Sequence, residues 1–177
     1  MKSKIIILFF STFVGMTNLN AQKEFEGKVN LRNTKGQKEG LWKEEEETDT
    51  KFYTLTYYEN GIKNGVYREY QFNKLFVLGE YIKGKMTGTW YYFGDYGHLT
   101  MIQKDFQTNT YQTPTMHHVQ GLCPFRCYCI DYYPNGNKKS EGLLLWDEDP
   151  QSDFTFEYGE WKYYDENGKL MSTKIFK

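Results

Sequence analysis

After residue 21, apolar and aromatic residues occur in short runs that are separated by glycine, asparagine and charged residues. No long segment places apolar residues at the spacing of an amphipathic helix. Side chains along a β-strand point to alternate faces, aromatic residues favour strands, and glycine favours turns. The pattern therefore predicts an all-β protein built from short strands and tight turns.

One pattern, Gly-x-x-x-Gly-x-Trp/Tyr, occurs three times. The copies are GQKEGLW, GIKNGVY and GKMTGTW, and they start at positions 36, 61 and 84, so they are separated by 25 and 23 residues. Their paired glycines are Gly36 and Gly40, Gly61 and Gly65, and Gly84 and Gly88. Such a period is typical of repeat proteins, in which one unit buries its apolar face only against a neighbour. A fourth copy, GEWKYY from Gly159, keeps only the second glycine and Trp161.

A second motif places an Asn-Gly pair after aromatic residues, as in YYENGIK, YYPNGNK and YYDENGKL. Such a pair is a strong β-hairpin signal because both residues tolerate positive φ. We therefore predict that each unit is a β-hairpin whose tight turn lies between the paired glycines. Because side chains alternate along a strand, one face should carry an aromatic ladder, defined as Trp42, Tyr67, Trp90 and Trp161. The other face should carry Lys43, Arg68, Tyr91 and Lys162.

The aromatic ladder has two interpretations. In the first, the rings are core residues that pack between successive hairpins, with Trp90 against Tyr67 of the preceding unit. In the second, some rings lie open along a groove and stack on sugar rings or on the side chains of a partner. This binding face would consist of Trp42, Tyr67, Trp90, Tyr92 and Trp161.

The segment YYENGIKNGVYREY and the looser aromatic-aromatic-x-Asn-Gly-Lys … Gly-x-Trp pattern resemble the MORN-repeat variants of exported bacterial proteins. The same repeat defines the group labelled YwqK-type antitoxins. The resemblance covers Gly36 to Phe106 and, in degenerate form, Tyr132 to Lys177. It implies an open or curved antiparallel sheet of stacked β-hairpins and a role in binding or scaffolding, and it brings no catalytic residues.

The first 21 residues have the plan of a secretory signal peptide. Lys2 and Lys4 precede an apolar run from Ile5 to Val14, and cleavage is expected between Ala21 and Gln22. The run is shorter than the roughly 20 residues that cross a bilayer, although a retained membrane helix is the alternative. We expect a periplasmic or secreted protein with one domain, residues 22–177, and no membrane span after cleavage.

Charge narrows the choice of partner. Removal of Lys2 and Lys4 leaves 20 basic against 23 acidic residues, a net charge of −3. Nucleic acid is not expected as a partner, because phosphate binding needs a concentrated basic face. Two acidic runs, Glu44 to Glu47 and WDEDPQSDF from Trp146, are interpreted as solvated edges that discourage aggregation, with calcium loops as the alternative.

The repeat fails between Phe106 and Asp131, which predicts an irregular insertion near residues 107–131. This segment contains all three cysteines. In an exported chain the default is a disulfide, here Cys123 with Cys127 or Cys129. The alternatives are unpaired structural cysteines, or a metal site with His117 and His118.

These observations predict a non-catalytic exported protein that binds another protein or a cell-envelope polymer, without cofactor, metal or catalytic residues. An antitoxin or immunity-like protein that masks a toxin is the second hypothesis. A small redox or metal-dependent enzyme using residues 117–129 is the third. We expect the individual function of the chain to lie where the repeat fails.

Overall fold

The computed structural model describes residues 29–45, 51–111, 123–146 and 155–177. The strands are β1 Leu31–Arg32, β2 Lys38–Glu45, β3 Phe52–Glu59, β4 Ile62–Gln71, β5 Lys74–Ile82, β6 Lys85–Phe93, β7 Leu99–Thr108, β8 Phe125–Tyr132, β9 Lys138–Trp146, β10 Thr155–Tyr164 and β11 Leu170–Phe176. They form one open antiparallel sheet in which every strand pairs with its neighbours in sequence. The predicted all-β sheet of successive hairpins is confirmed, and these residues contain no helix, hence none that could span a membrane.

Two kinds of tight turn join the strands. Two-residue turns at Asn60-Gly61, Phe72-Asn73 and Lys83-Gly84 have φ between 50° and 81° at both positions, as a type I′ hairpin requires. Five-residue turns span 33–37, 94–98, 133–137 and 165–169, and each has the same pair of backbone hydrogen bonds. The Asn-Gly signals of the sequence thus fall in turns of both kinds.

The prediction that a turn lies between the paired glycines is wrong. The first glycine of each pair belongs to a turn, whereas the second lies inside the following strand: Gly40 in β2, Gly65 in β4 and Gly88 in β6. All three have positive φ, and the pairing register shifts opposite Gly65 and Gly88, which marks a β-bulge. At Gly65 and Gly88 the second glycine is therefore part of a bulge that redirects the strand.

The turns of successive units are tied to each other. The Gly61 N–H donates to the Lys38 carbonyl at 2.9 Å, and the Gly84 N–H donates to the Lys63 carbonyl at 2.8 Å. The first glycine of a unit thus bonds to a strand of the preceding unit, as a repeat that is stable only when stacked should do.

A central row of side chains crosses the sheet on one face. In strand order from β2 to β11 it consists of Trp42, Thr56, Tyr67, Gly79, Trp90, Gln103, Cys129, Gly142, Trp161 and Lys174. Trp42, Trp90 and Trp161 are 9%, 3% and 2% exposed, and the Trp90 ring stacks on Tyr67 with centroids 5.3 Å apart. The predicted packing of Trp90 on Tyr67 is confirmed, and the tryptophans of the aromatic ladder are core residues.

Two glycines make room for these tryptophans. A Cβ atom on Gly79 would lie 2.1 Å from Cδ2 of Trp90, and one on Gly142 would lie 2.5 Å from Cδ2 of Trp161. Neither glycine has positive φ, so the reason for glycine at these positions is space. A strand without a side chain beside each large ring lets the indole lie against the backbone.

The other face carries an outer row, defined as Lys43, Leu55, Arg68, Leu78, Tyr91, Ile102, Ile130, Glu141, Lys162 and Thr173. Its members are directly paired from one strand to the next. Lys43, Arg68, Tyr91 and Lys162 therefore share the face that the alternation predicts for them.

The interruption of the repeat is shorter than predicted. β7 continues to Thr108, β8 begins at Phe125, and the two strands pair, so only residues 109–124 lie between strands. Residues 1–21, which form the predicted signal peptide, lie outside the described residues, as do His117 and His118.

Candidate functional site

The central row has a cysteine instead of an aromatic residue at β8. Strands β2, β4, β6 and β10 each contribute a ring of the aromatic ladder, but β8 contributes Cys129, and its sequence FRCYCIDY contains no glycine for a bulge. The ladder is thus broken at this strand, because a thiol replaces an indole or phenol. The core here is built from Cys127, Cys129, Leu144 and Trp161, with Met101, Phe106, Trp146, Tyr163 and Phe176 around them.

The disulfide prediction is wrong for Cys127 and Cys129, which are free thiols. They lie on one face of β8, and their partners across the ladder are Leu144 and Gly142, so neither faces another cysteine there. Cys123 is buried as well.

The two thiols of β8 are held in their protonated form. Burial raises the pKa of Cys127 to about 12, and burial with the nearby Asp131 carboxylate raises the pKa of Cys129. A redox or metal-binding cysteine acts as the thiolate, which these surroundings disfavour. Within the described ranges no group of three or more potential metal ligands occurs.

Beside the break in the ladder lies a cleft with a volume of about 480 Å³. One side is formed by the β5–β6 turn, with Lys83 and Gly84, and by the start of β6, with Lys85 and Met86. The other side is formed by the ends of three strands, with Phe106, Gln107 and Thr108 from β7, Phe125 from β8 and Trp146 from β9. The cleft therefore joins the last regular unit to the strands on both sides of the interruption.

The rings of the cleft continue the core. Phe106 lies 6.4 Å from Trp90 and 6.3 Å from Trp146, and Phe125 lies 5.0 Å from Trp146, measured between ring centroids. All three cleft rings are half-buried. One edge of each ring is thus held by packing while the rest remains accessible.

A bulge in β7 brings Phe106 to this position. Asp105 has a φ of 59°, and the register against β8 shifts between Lys104 and Gln107. Simple alternation from Gln103 would place Asp105 on the ring face and Phe106 on the opposite one. The bulge reverses this order, which is why sequence reasoning missed Phe106.

The lining of the cleft is rich in hydrogen-bond donors. Lys83 and Lys85 are exposed, and no Asp or Glu occurs among the described residues that line it. The Gln107 Oε1 accepts a hydrogen bond from Arg126 at 2.5 Å, which leaves the amide NH₂ as a donor. The Trp146 Nε1–H is buried and has no acceptor among the described residues. That N–H is therefore not open to a ligand, but the positive charge of the lysines and the exposed Gln107 amide suit an anionic ligand.

Tyr92 and Tyr67, the other members of the predicted binding face, are half-buried. The Tyr92 hydroxyl donates to Gln103 Oε1 at 2.7 Å, and the Tyr67 hydroxyl donates to Glu69 at 3.1 Å. Burial raises the pKa of both phenols, with Glu69 adding to the effect at Tyr67. Both side chains are engaged within the sheet.

The described acids of the first acidic run form ion pairs within the sheet. Glu44 pairs with Lys38, whose ammonium also lies 4.9 Å from the centre of the Trp42 ring, and Glu45 pairs with Lys43 at 2.5 Å. Burial alone would raise the pKa of Glu44, but the hydrogen bond and charge of Lys38 bring it below the ordinary value. Lys38, paired with Glu44, thus forms a polar cover over a core ring.

The chain matches no protein-family model, no curated protein and no solved structure. The resemblance to MORN-repeat and YwqK-type proteins therefore stays a prediction that rests on the repeat motif.

Proposed function

We propose that the chain is a non-catalytic exported repeat protein that binds a ligand of the cell envelope, a protein or a polymer, through the cleft beside β8. The observation that carries this proposal is the position of the cleft. It opens beside β8, which contributes Cys129 where β2, β4, β6 and β10 contribute a ring, and it combines three half-buried aromatic rings with two lysines and further donors.

The packing of the cleft supports a binding role. Its aromatic wall is joined to Trp90 through Phe106, and Lys83 occupies a turn whose glycine is bonded to the preceding unit. Groups held in place before binding lose little conformational entropy when the ligand arrives. The protonated thiols of Cys127 and Cys129 speak against the redox alternative.

A second candidate, an antitoxin-like protein that masks a protein partner, is favoured by the outer row. Its first four members alternate basic with apolar side chains, Tyr91 and Ile102 follow them, and Tyr91 is 36% exposed. Aromatic and arginine side chains are the residues that most often dominate protein interfaces. A partner with acidic and apolar side chains on one surface would match this face.

Capture from an envelope extract tests the first candidate against the second. The purified chain is compared with a cleft variant, Lys83→Asn with Lys85→Gln, and with an outer-row variant, Arg68→Gln with Tyr91→Ala. Lys139→Gln with Lys169→Gln, two exposed lysines away from the cleft, is the matched control for charge.

Loss of the captured component only in the cleft variant is the expected result. Loss only in the outer-row variant would favour the masking function, and equal capture by all four proteins would contradict both. Expression with and without residues 1–21, followed by assay of cell fractions, tests export. Cytoplasmic retention of the full-length form would contradict that part of the proposal.

A further inference from the structure

We propose that the ligand of the cleft is an acidic polysaccharide, with a sugar ring against the aromatic wall and its carboxylate between Lys83 and Lys85. This inference deepens the proposed function and rests on it. It names the chemical class of the ligand from the lining of the cleft alone.

The hydrogen-bond donors that line the cleft indicate that the ligand is negatively charged. Lys83 and Lys85 contribute two ammonium groups from one side of the cleft, and within the described ranges neither forms an ion pair. The opposite side contributes the Gln107 amide and the Thr108 hydroxyl, both on exposed residues. A hydrogen bond from a lysine ammonium group to an ionised acceptor such as a carboxylate is roughly twice as strong as one between neutral groups. A ligand without a negative charge would leave both lysines unmatched.

The aromatic rings of the cleft indicate that the ligand has a flat apolar face. Phe106, Phe125 and Trp146 form a half-buried apolar wall of the cleft. The volume of the cleft lies within the range of small-ligand sites, about 300–1,000 Å³. A pyranose has an apolar face of C–H groups and a rim of hydroxyls. It can therefore cover the rings while its hydroxyls meet Gln107 and Thr108.

The exposed rim favours a polymer. Lys83, Lys85, Gln107 and Thr108 are all exposed, so a chain of sugars can continue beyond the ring that occupies the cleft. Nucleic acid fits poorly, because two lysines on a chain with a net charge of −3 after loss of residues 1–21 are too few to neutralise a run of phosphates. An acidic peptide shares the charge but lacks the flat apolar body, and it serves as the competing ligand in the test.

Isothermal titration calorimetry of the purified chain with tetragalacturonate tests the inference, with maltotetraose as the neutral probe and tetraglutamate as the peptide probe. The main variant is again Lys83→Asn with Lys85→Gln. Asn-Gly is the preferred pair for a type I′ turn, so the first substitution removes charge without weakening the turn. Lys139→Gln with Lys169→Gln controls for charge.

We expect saturable binding of tetragalacturonate that is weakened at least about tenfold by the double lysine variant, since each charged hydrogen bond contributes enough for such a change. The charge control should leave binding unchanged. Binding should also weaken as salt is raised. Circular dichroism of each variant establishes that it is folded.

Equal binding of maltotetraose, or equally tight binding of tetraglutamate, would overturn the inference, because the cleft would then recognise either rings or charge alone. Failure of tetragalacturonate to bind would also overturn it. If the lysine variant nevertheless loses capture from envelope extract, the proposed function stands and only the ligand class is wrong. If that variant captures normally and no glycan binds, both fail.

Discussion

Replacing Gly79 by alanine should lower the free energy of unfolding by about 2–4 kcal/mol, because the Trp90 ring occupies the space that the new methyl group needs. An ideal Cβ at this position lies 2.1, 2.3 and 2.6 Å from three atoms of the indole. Ordinary carbon contacts are about 3.5–4.0 Å, so the ring or the backbone has to move by more than about 1 Å. Trp90 is 3% exposed, and it can move only into other core side chains.

The expected loss of stability in Gly79→Ala lies between two reference values. Overpacking of a core costs about 1–3 kcal/mol, and complete loss of a large ring from the core costs about 3–5 kcal/mol. Against this, alanine restricts the unfolded chain and stabilises by about 0.4–1 kcal/mol where the backbone accepts it. Gly79 has no positive φ, so this gain applies and the net loss stays near the middle of the range.

Urea denaturation followed by circular dichroism measures the effect as a shift of the transition midpoint. For a chain of this size the melting temperature should fall on the order of 10 °C. The decisive measurement is a double-mutant cycle with Trp90→Leu. Once the indole is gone, Gly79→Ala should cost nothing or stabilise slightly, so the two substitutions should be strongly non-additive.

Gly88→Ala provides the matched control. No atom lies within 4 Å of an added Cβ there, but φ is +65°, so its cost of about 1–2 kcal/mol is backbone strain. Trp90→Leu should not relieve that cost. The reasoning is refuted if Gly79→Ala changes stability by less than about 0.5 kcal/mol, or if its cost is the same in the Trp90→Leu background.

Three further predictions follow from the core and its polar cover. Cys127 and Cys129 should not react with a thiol reagent at neutral pH in the folded protein, because burial keeps them protonated, and they should react after denaturation. The number of labels is counted by mass spectrometry, and rapid labelling of these two residues in the native protein would contradict the prediction. In urea denaturation, Trp90→Ala should lower the free energy of unfolding by about 3–5 kcal/mol. Tyr91→Ala, on the outer row, should lower it by less than about 1 kcal/mol. Similar losses for the two variants would show that the two faces are not distinguished by burial. Because the folded pKa of Glu44 is depressed, its stabilisation is present above the unfolded pKa and is lost as pH falls through the folded value. Between about pH 5 and about pH 3, Glu44→Gln should therefore lose less stability than the wild type, and equal losses would argue against the ion pair with Lys38.

Much of the fold could be predicted because it depends on local chemistry. The period of the glycines, the Asn-Gly pairs and the alternation of aromatic with polar residues indicate hairpins, and each hairpin lies beside the next in the chain. The shared face of Lys43, Arg68, Tyr91 and Lys162, and the packing of Trp90 on Tyr67, followed from the same alternation. No long-range choice of topology had to be made.

The candidate site was predictable only in its location. The failure of the repeat between Phe106 and Asp131 is visible in the sequence, and the cleft lies beside it. The sequence does not show that the residues of the cleft lie together. Lys83 belongs to a turn, Phe106 reaches the ring face through a bulge at Asp105, and Trp146 is the last residue of β9. Nothing in the spacing of these residues brings them together.

By itself, the sequence determined the class of fold, the order of the hairpins and the point at which the repeat stops, because turn preference and side-chain alternation act over a few residues. The tertiary structure decided which glycines form turns and which form bulges. It also decided that Gly79 and Gly142 make room for the indoles, and that three strand ends and one turn enclose a cleft. These features depend on the register between neighbouring strands, and a bulge of one residue changes which face every later side chain meets.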